Sequence, residues 1–455
     1  MRFAEKGDIM KIKVMHLLEL QRMKSMQIKK IKIGGFRNIS EVSISFEAIT
    51  ALVGLNGYGK SNIMDAIDFG FDFLHNPNKM KSVMMSSKSR IPLLKANAGK
   101  DYEFGINLML ESAGKSYYVD YSYSFAWETN QWPAKIKSET LRIKLDSPGQ
   151  KYNTYIQRDE KSAQYKPSVS GRCSKTIKIE NNALLINKLL ALDDLFFLDI
   201  VKQVNSVQFF IERHLDASSS FEPAPFMIKG FQELELQGIQ SIPRAIFFLK
   251  KDYSDKYELL VNAFRQLFPN VLDINVQEIT LNQEPTGIKI SEDAPFIFTD
   301  NVYSMSIIDD RLIQPIGFET LSDGTKRIFL MLTYAIIADI KNLSMIAIEE
   351  PENSIHPSLF QNYLDVLMQL VNNCKIVITS HSPYVIQYLN PNCVYIGMTN
   401  TTGETNFRKI AASKINRLMK DASTYSNSFG DYIFDLISSD DANESLEEYM
   451  EDDNG

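Results

Sequence analysis

The chain has 455 residues, 44% hydrophobic and 23% charged, close to a soluble globular average. That excludes a wholly disordered, collagen-like or miniature disulfide protein, and the length predicts two or three domains, or one large head with an insertion. The net charge of −7 is uneven: residues 440–455 carry eight acids and no base, residues 1–37 ten Lys or Arg against three acids, so the total excludes no partner class, nucleic acid included.

Residues 1–25 read as an N-terminal extension. Their apolar run Val14-Met15-His16-Leu17-Leu18 is too short for a secretory signal. No run approaches the roughly 18 apolar residues of a membrane span. Gln27–Ile33 and Val42–Phe46 alternate as strands do, and Thr50–Gly54 is a short apolar run of the buried-strand type. A helix is predicted from about residue 60 to 74. Residues 79–91, basic and rich in Ser and Met, read as a loop. Four alternating runs across 102–156 read as an antiparallel meander.

From about residue 182 the pattern reads as helical, with further helices over Phe226–Leu236 and Ser254–Phe268 and a stop at Pro269. Strands are expected again over 272–299. Then come a helix at Gly324–Ile340, a strand at Met345–Ile348, a helix at Pro357–Val371, and strands at Lys375–Thr379 and Val394–Ile396. Strand–helix alternation around glycine loops at both ends predicts one α/β head split by a middle segment. Residues 26–165 form its N-terminal half with a β lobe, 166–300 a mainly helical insertion, 301–438 the C-terminal half, and 439–455 an acidic, disordered tail. Three scattered cysteines, Cys173, Cys374 and Cys393, offer no disulfide framework and point to a reducing, cytoplasmic setting. The five histidines, at 16, 75, 214, 356 and 381, have no zinc-site spacing.

Four stretches carry chemistry. Gly54-Leu55-Asn56-Gly57-Tyr58-Gly59-Lys60-Ser61 fits G-x-x-x-x-G-K-[ST] in full, between a buried strand and a helix. Glycines let backbone N–H groups turn inward toward phosphate oxygens, and the helix N-terminus adds the positive end of its dipole. Lys60 would reach the β and γ phosphates, and the Ser61 hydroxyl would ligate Mg²⁺. Four apolar residues, 345–348, then run into Glu349 and Glu350, placing carboxylates at a strand's C-terminal end. Glu349 would support the metal through water, and Glu350 would orient or deprotonate the attacking water. His381 follows another short strand between two serines, in reach of a γ-phosphate. Leu321–Arg327 opens a helix with a Ser and a Gly. Simple capping explains this locally, but a second anion cradle suggests that two chains complete each other's sites.

Taken in order, GFRN (35–38), GLNGYGKS (54–61), LSDGTKR (321–327), IAIEEPENSIHP (346–357) and ITSHSP (378–383) resemble the ABC-type ATPase heads of the RecF, SMC and double-strand-break-repair group. The likeness is greatest to bacterial OLD-like AAA-type ATPases without a nuclease domain, of the PtuA, AriA or RloA phage-defence kind. The resemblance implies a P-loop α/β core, an antiparallel β lobe and a helical insertion. It implies ATP and Mg²⁺ held by Arg37, Asn56, Gly57, Gly59, Lys60, Ser61 and Asn62, with Ser322 and Gly324 acting in trans. It makes Ser61 and Glu349 the metal residues and Glu350 and His381 the catalytic ones. Glu349 departs from the more usual Asp, which implies slow turnover, and no Q-loop glutamine is identifiable.

Only 261 residues separate Lys60 from Ser322, too few for a long coiled-coil arm. The 74 residues after His381 are expected to hold no nuclease. The implied partners are a second copy, or a higher homo-oligomer, and a separately encoded effector such as a nuclease. Two alternatives stand beside this reading. One is a repair clamp whose basic N-terminus and 79–91 loop contact DNA. The other is a nucleotide sensor with negligible turnover.

Overall fold

The structure, a computed structural model, describes residues 26–130, 133–213, 219–223, 225–228, 234, 242–281, 294, 296–370, 374–400, 402–439 and 442–451. The expected extension at 1–25, and parts of the insertion and tail, lie outside them. The described residues divide into two compact units. One is drawn from 1–211, 344–347 and 373–455, the other from 212–343 and 348–372. Among the described residues no helix is long and apolar enough to cross a membrane.

In chain order the elements begin with β1 (Gln27–Phe36), β2 (Ile39–Ser45), β3 (Ile49–Val53), α1 (Lys60–His75), α2 (Asn78–Met85), β4 (Tyr102–Ser112), β5 (Lys115–Ala126), β6 (Lys135–Leu145), β7 (Asn153–Arg158), β8 (Ala163–Tyr165) and β9 (Lys175–Thr176). There follow α3 (Leu185–Leu189), α4 (Leu198–Asn205), β10 (Phe209–Glu212), β11 (Phe226–Ile228), α5 (Ile242–Asp252), α6 (Ser254–Leu267), β12 (Val271–Thr280), β13 (Phe296–Phe298), β14 (Asn301–Asp309) and β15 (Ile316–Gly317). The last stretch holds α7 (Asp323–Lys341), β16 (Met345–Glu349), α8 (Pro357–Leu370), β17 (Lys375–Ser380), α9 (Pro383–Tyr388), β18 (Val394–Thr399), β19 (Thr405–Lys409), α10 (Ile415–Thr424), α11 (Phe429–Ser438) and α12 (Ala442–Glu447).

The first unit is built on one mixed sheet of 14 strands, in the order β10-β16-β17-β3-β18-β19-β2-β1-β4-β5-β6-β7-β8-β9. All five residues of β3 are buried, as a strand covered on both faces requires. Its neighbours β17 and β18 run parallel to it, with Ser380 and Ile396 both opposite Val53. Beyond β2 the sheet becomes an antiparallel lobe, β1-β4-β5-β6-β7. There every second residue turns inward, as along β4. The inward rings of Tyr102, Tyr123, Phe125 and Trp127 pack around Phe69 and Phe73 of α1. The Tyr102 and Tyr123 hydroxyls donate to Ala66 O and Gly70 O, at 2.9 and 2.7 Å. The lobe therefore holds the helix that leaves the phosphate loop.

Glu139 and Lys81 are among the charged groups buried beside this core. Glu139 accepts from the N–H groups of Leu185 and Ile186, at 2.5 and 2.8 Å, and from the Tyr121 hydroxyl at 3.1 Å. Burial still pushes its carboxyl upward. Lys81 is 1% exposed and donates to Leu74 O, Asn76 O and Asn187 Oδ1. It closes the C-terminal end of α1, where a cation is favoured.

The second unit packs α5–α8 with a three-stranded antiparallel sheet, β12-β14-β15, and a short pair, β11-β13. Phe221, Phe264, Phe318 and Phe329 form its aromatic centre.

Four readings need correction. Residues 78–85 form helix α2, not a loop; its N-terminus begins just after Pro77, and Met84 and Met85 are buried. Two of the cations assigned there to DNA phosphates are engaged internally: Lys81 as described, and Arg90 over the Phe69 ring at 4.8 Å. Phe209–Glu212, read as helix, is a strand beside β16. Its Phe-Phe-Ile run suits a sheet edge, and tertiary pairing overrides the helical pattern before it. Phe226–Ile228, also read as helix, is strand β11.

The tail reading changes as well. Residues 442–451 dock on the first unit through three apolar side chains, Leu446, Tyr449 and Met450, all buried, and an isolated bridge pairs Met450 with Ile410. Arg408 grips Glu447 with both contacts at 2.8 Å, and Arg417 meets Glu448 at 2.8 Å. Eight acids in the sequence conceal an apolar triad whose spacing only packing reveals.

Candidate nucleotide-binding site

The loop Gly54–Ser61 leaves β3 directly and enters α1 at Lys60. Its start is tied to the sheet, with Gly54 N–H donating to Ser380 O at 3.3 Å. Gly57 and Gly59 have φ of 84° and 80°, the left-handed region that side chains disfavour. At Gly59 space is also short: a Cβ would lie 2.8 Å from Thr405 Oγ1. Asn56 and Gly57 are exposed at the rim, and Ser61 is exposed on the first turn of α1. The Lys60 ammonium folds back over the loop, donating to Gly54 O at 2.8 Å and Leu55 O at 3.1 Å. A cation, left-handed glycines and a helix N-terminus thus converge on one concave turn.

A polar network braces the first turn of α1. Arg37, itself left-handed at φ 47°, donates through Nη1 to Asn62 Oδ1 at 2.7 Å and pairs with Asp65 at 2.5 Å. Asn62 Nδ2 donates to Asn38 Oδ1 at 2.7 Å, and Asn38 Nδ2 to Thr405 Oγ1 at 2.6 Å. Arg37 and Asn62, read from the sequence as nucleotide contacts, touch each other here. Asp65 and Thr405 were missed. Asp65 had a signal, an acid one turn after Asn62 and facing the GFRN arginine. Thr405 had none.

His381 follows Ser380, the last residue of β17, and β17 is the parallel neighbour of β3. It therefore emerges at the sheet end where the phosphate loop begins.

In the second unit, Glu349 ends β16 and lies 4.0 Å from Arg213. Glu350 is left-handed, with φ 48°. Its carboxylate Oε2 accepts from Asn353 Nδ2 at 2.8 Å, and its carbonyl accepts from Arg327 Nη2 at 3.0 Å. Burial lowers the Arg327 guanidinium from its ordinary value, while Glu352, Glu350 and Glu212 oppose that shift. Ser322 caps α7, accepting from Thr325 N–H. Gly324 is packed so closely that a Cβ would lie 2.4 Å from Ser354 O. Arg213 and Arg327 were not among the sequence-derived site residues. Arg327 stood within a quoted motif, but Arg213 carried no signal.

In the first unit the loop's backbone N–H groups and ammonium suit phosphate; in the second, the Glu349 and Glu350 carboxylates are of the kind that suits a hard divalent cation. Residues 152–387, just over half of the chain, match the family model described as AAA domain, putative AbiEii toxin, Type IV TA system. The chain belongs to that AAA family. Residues 26–180 match the model of the AAA ATPase domain, so the phosphate loop falls within an ATPase-family match. No curated protein matches the chain.

Among solved structures, the chain is similar to the SMC head domain from Thermotoga maritima, at 12% identity over 85% of this chain and 100% of that one, TM-score 0.40. It is also similar to the SmcHead bound to the C-winged helix domain of ScpA, at 14% identity over 86% and 99%, TM-score 0.45. A third is the Smc head domain with an extended coiled coil bound to the C-terminal domain of ScpA derived from Pyrococcus furiosus, at 13% identity over 88% and 100%, TM-score 0.38.

Proposed function

We propose that this AAA-family protein binds ATP at Gly54–Ser61 and hydrolyses it. The folded phosphate loop carries the reading, with the Lys60 ammonium turned over its carbonyls. Lys60 holds the β and γ phosphates, and Asn56, Gly57 and Gly59 line the turn. Ser61, with Glu349 through water, holds Mg²⁺. Bound there, Mg²⁺ would supply charge neutralisation at the phosphates. Glu350 orients or deprotonates the attacking water, and His381 donates toward the γ-phosphate. Ser322 and Gly324 of a second copy complete the site, so two chains close on two nucleotides.

We assign the biological role to bacterial anti-phage defence, with turnover controlling a separately encoded effector such as a nuclease. The family's description as a putative toxin of a type IV system supports that setting. The test is phosphate release by wild type, Lys60→Ala and Glu350→Gln. Turnover in wild type alone is expected. Glu350→Gln releasing phosphate at the wild-type rate removes Glu350 from catalysis. A chain that binds ATP and releases no phosphate is a sensor. For the effector, purification with the product of the neighbouring gene is expected to give a complex; a chain that purifies alone counts against it.

A further inference from the structure

The five residues Glu350–Ser354 form a loop strained at both ends. Glu350 has φ 48° and Ser354 φ 65°, left-handed conformations that residues with a side chain keep only when their surroundings impose them. The surroundings here come from α7. Arg327 Nη2 donates to the Glu350 carbonyl at 3.0 Å. Gly324 lies directly under Ser354, with no room for a Cβ between them. Inside the loop, Asn353 holds the Glu350 carbonyl through its N–H at 3.3 Å and the carboxylate through its amide at 2.8 Å. Both ends of the loop are thus fastened to the first two turns of one helix.

We infer that Arg327 is a positioning residue for Glu350, and that it couples Glu350 to whatever engages the exposed Ser322 end of α7. The left-handed backbone sets the direction of the Glu350 side chain, and the Arg327 contact holds that backbone. A displacement of the α7 start by an anion at Ser322 and Gly324 reaches the carboxylate through Arg327 and Ser354 rather than through solvent. This rests on the proposed two-chain site: each chain's Glu350 is then set by the nucleotide its own α7 touches on the other copy. Glu350 and α7 respond as one block, so turnover is cooperative in ATP.

The test uses the full chain. Arg327→Met keeps the aliphatic stem and removes the donors. It is expected to lower kcat by about tenfold to a hundredfold, the scale of a misplaced catalytic group, while ATP affinity changes by less than about twofold and the Hill coefficient falls to one. Arg327→Lys restores a donor and most of kcat. Arg327→Gln, whose shorter side chain brings no donor to the Glu350 carbonyl, gives the same kcat loss and decides the matter if Arg327→Met does not fold. Arg327→Met with wild-type kcat and cooperativity overturns the inference, as does a loss of affinity equal to the loss of kcat. A wild type without turnover overturns the proposed function instead.

Discussion

Asn38 and Thr405 lie 367 positions apart and meet through a 2.6 Å hydrogen bond from Nδ2 to Oγ1. The pair fastens the turn after β1 to the start of β19, and Asn38 in turn accepts from Asn62 on α1. The first turn of the phosphate-loop helix is therefore positioned by a strand near the other end of the chain. Thr405→Val keeps the shape and removes the acceptor. It is expected to cost about 1 kcal/mol of stability, the net worth of one such bond, and to weaken ATP binding severalfold, both readable by calorimetry.

Lys60→Ala removes the only side-chain cation of the phosphate loop. Binding of a fluorescent ATP analogue should fall by about a hundredfold, since charged hydrogen bonds to phosphate are each worth up to about 3 kcal/mol. Glu350→Gln should leave that binding intact, lower phosphate release by about a hundredfold or more, and accumulate ATP-dependent dimers visible by light scattering.

Lys81 should make stability depend on alkaline pH. Burial pulls its ammonium from an ordinary 10.5 down to about 8, with Glu139 opposing. Between those values the unfolded chain binds a proton that the folded chain does not, so stability rises as pH climbs from about 8 to 10.5. The gain should approach about 3 kcal/mol across the window. Denaturant titrations of wild type and Lys81→Met should show that slope in wild type and its loss in the variant.

The acidic segment should be held by its apolar side chains more than by its charges. Leu446 is fully buried, whereas Arg417 and Glu448 are about half exposed, and an exposed pair contributes at most about 1 kcal/mol. Leu446→Ala should undock residues 442–451 at a cost of about 2–4 kcal/mol. Hydrogen exchange at the Tyr449 and Glu451 amides, which bond Leu446 O and Lys409 O, should accelerate in Leu446→Ala and much less in Arg417→Gln.

What could be read from the sequence was whatever one segment settles alone. Burial of β3, the glycine spacing, the lysine and serine opening α1, and the acids ending β16 lie in short contiguous stretches. Their neighbours in the chain dictate strand, turn and helix, because periodicity and backbone freedom are local properties. Alternation likewise made the β4–β7 meander legible, since one buried face requires it.

The remainder depended on contacts that no local pattern encodes. Residues 79–91 read as a loop because they are basic and rich in Ser and Met, yet three oxygen acceptors hold Lys81 in the core. Residues 209–212 continued a helical pattern until pairing beside β16 made them a strand. The docked tail, the Thr405 brace and the Arg327 hold on Glu350 each join residues far apart in the chain. The sequence by itself determined the phosphate-loop motif and the likeness to an ATPase family. Only the tertiary structure decided which side chains orient it, because orientation is imposed by long-range packing and hydrogen-bond register, which cost chain entropy to assemble and leave no periodic trace.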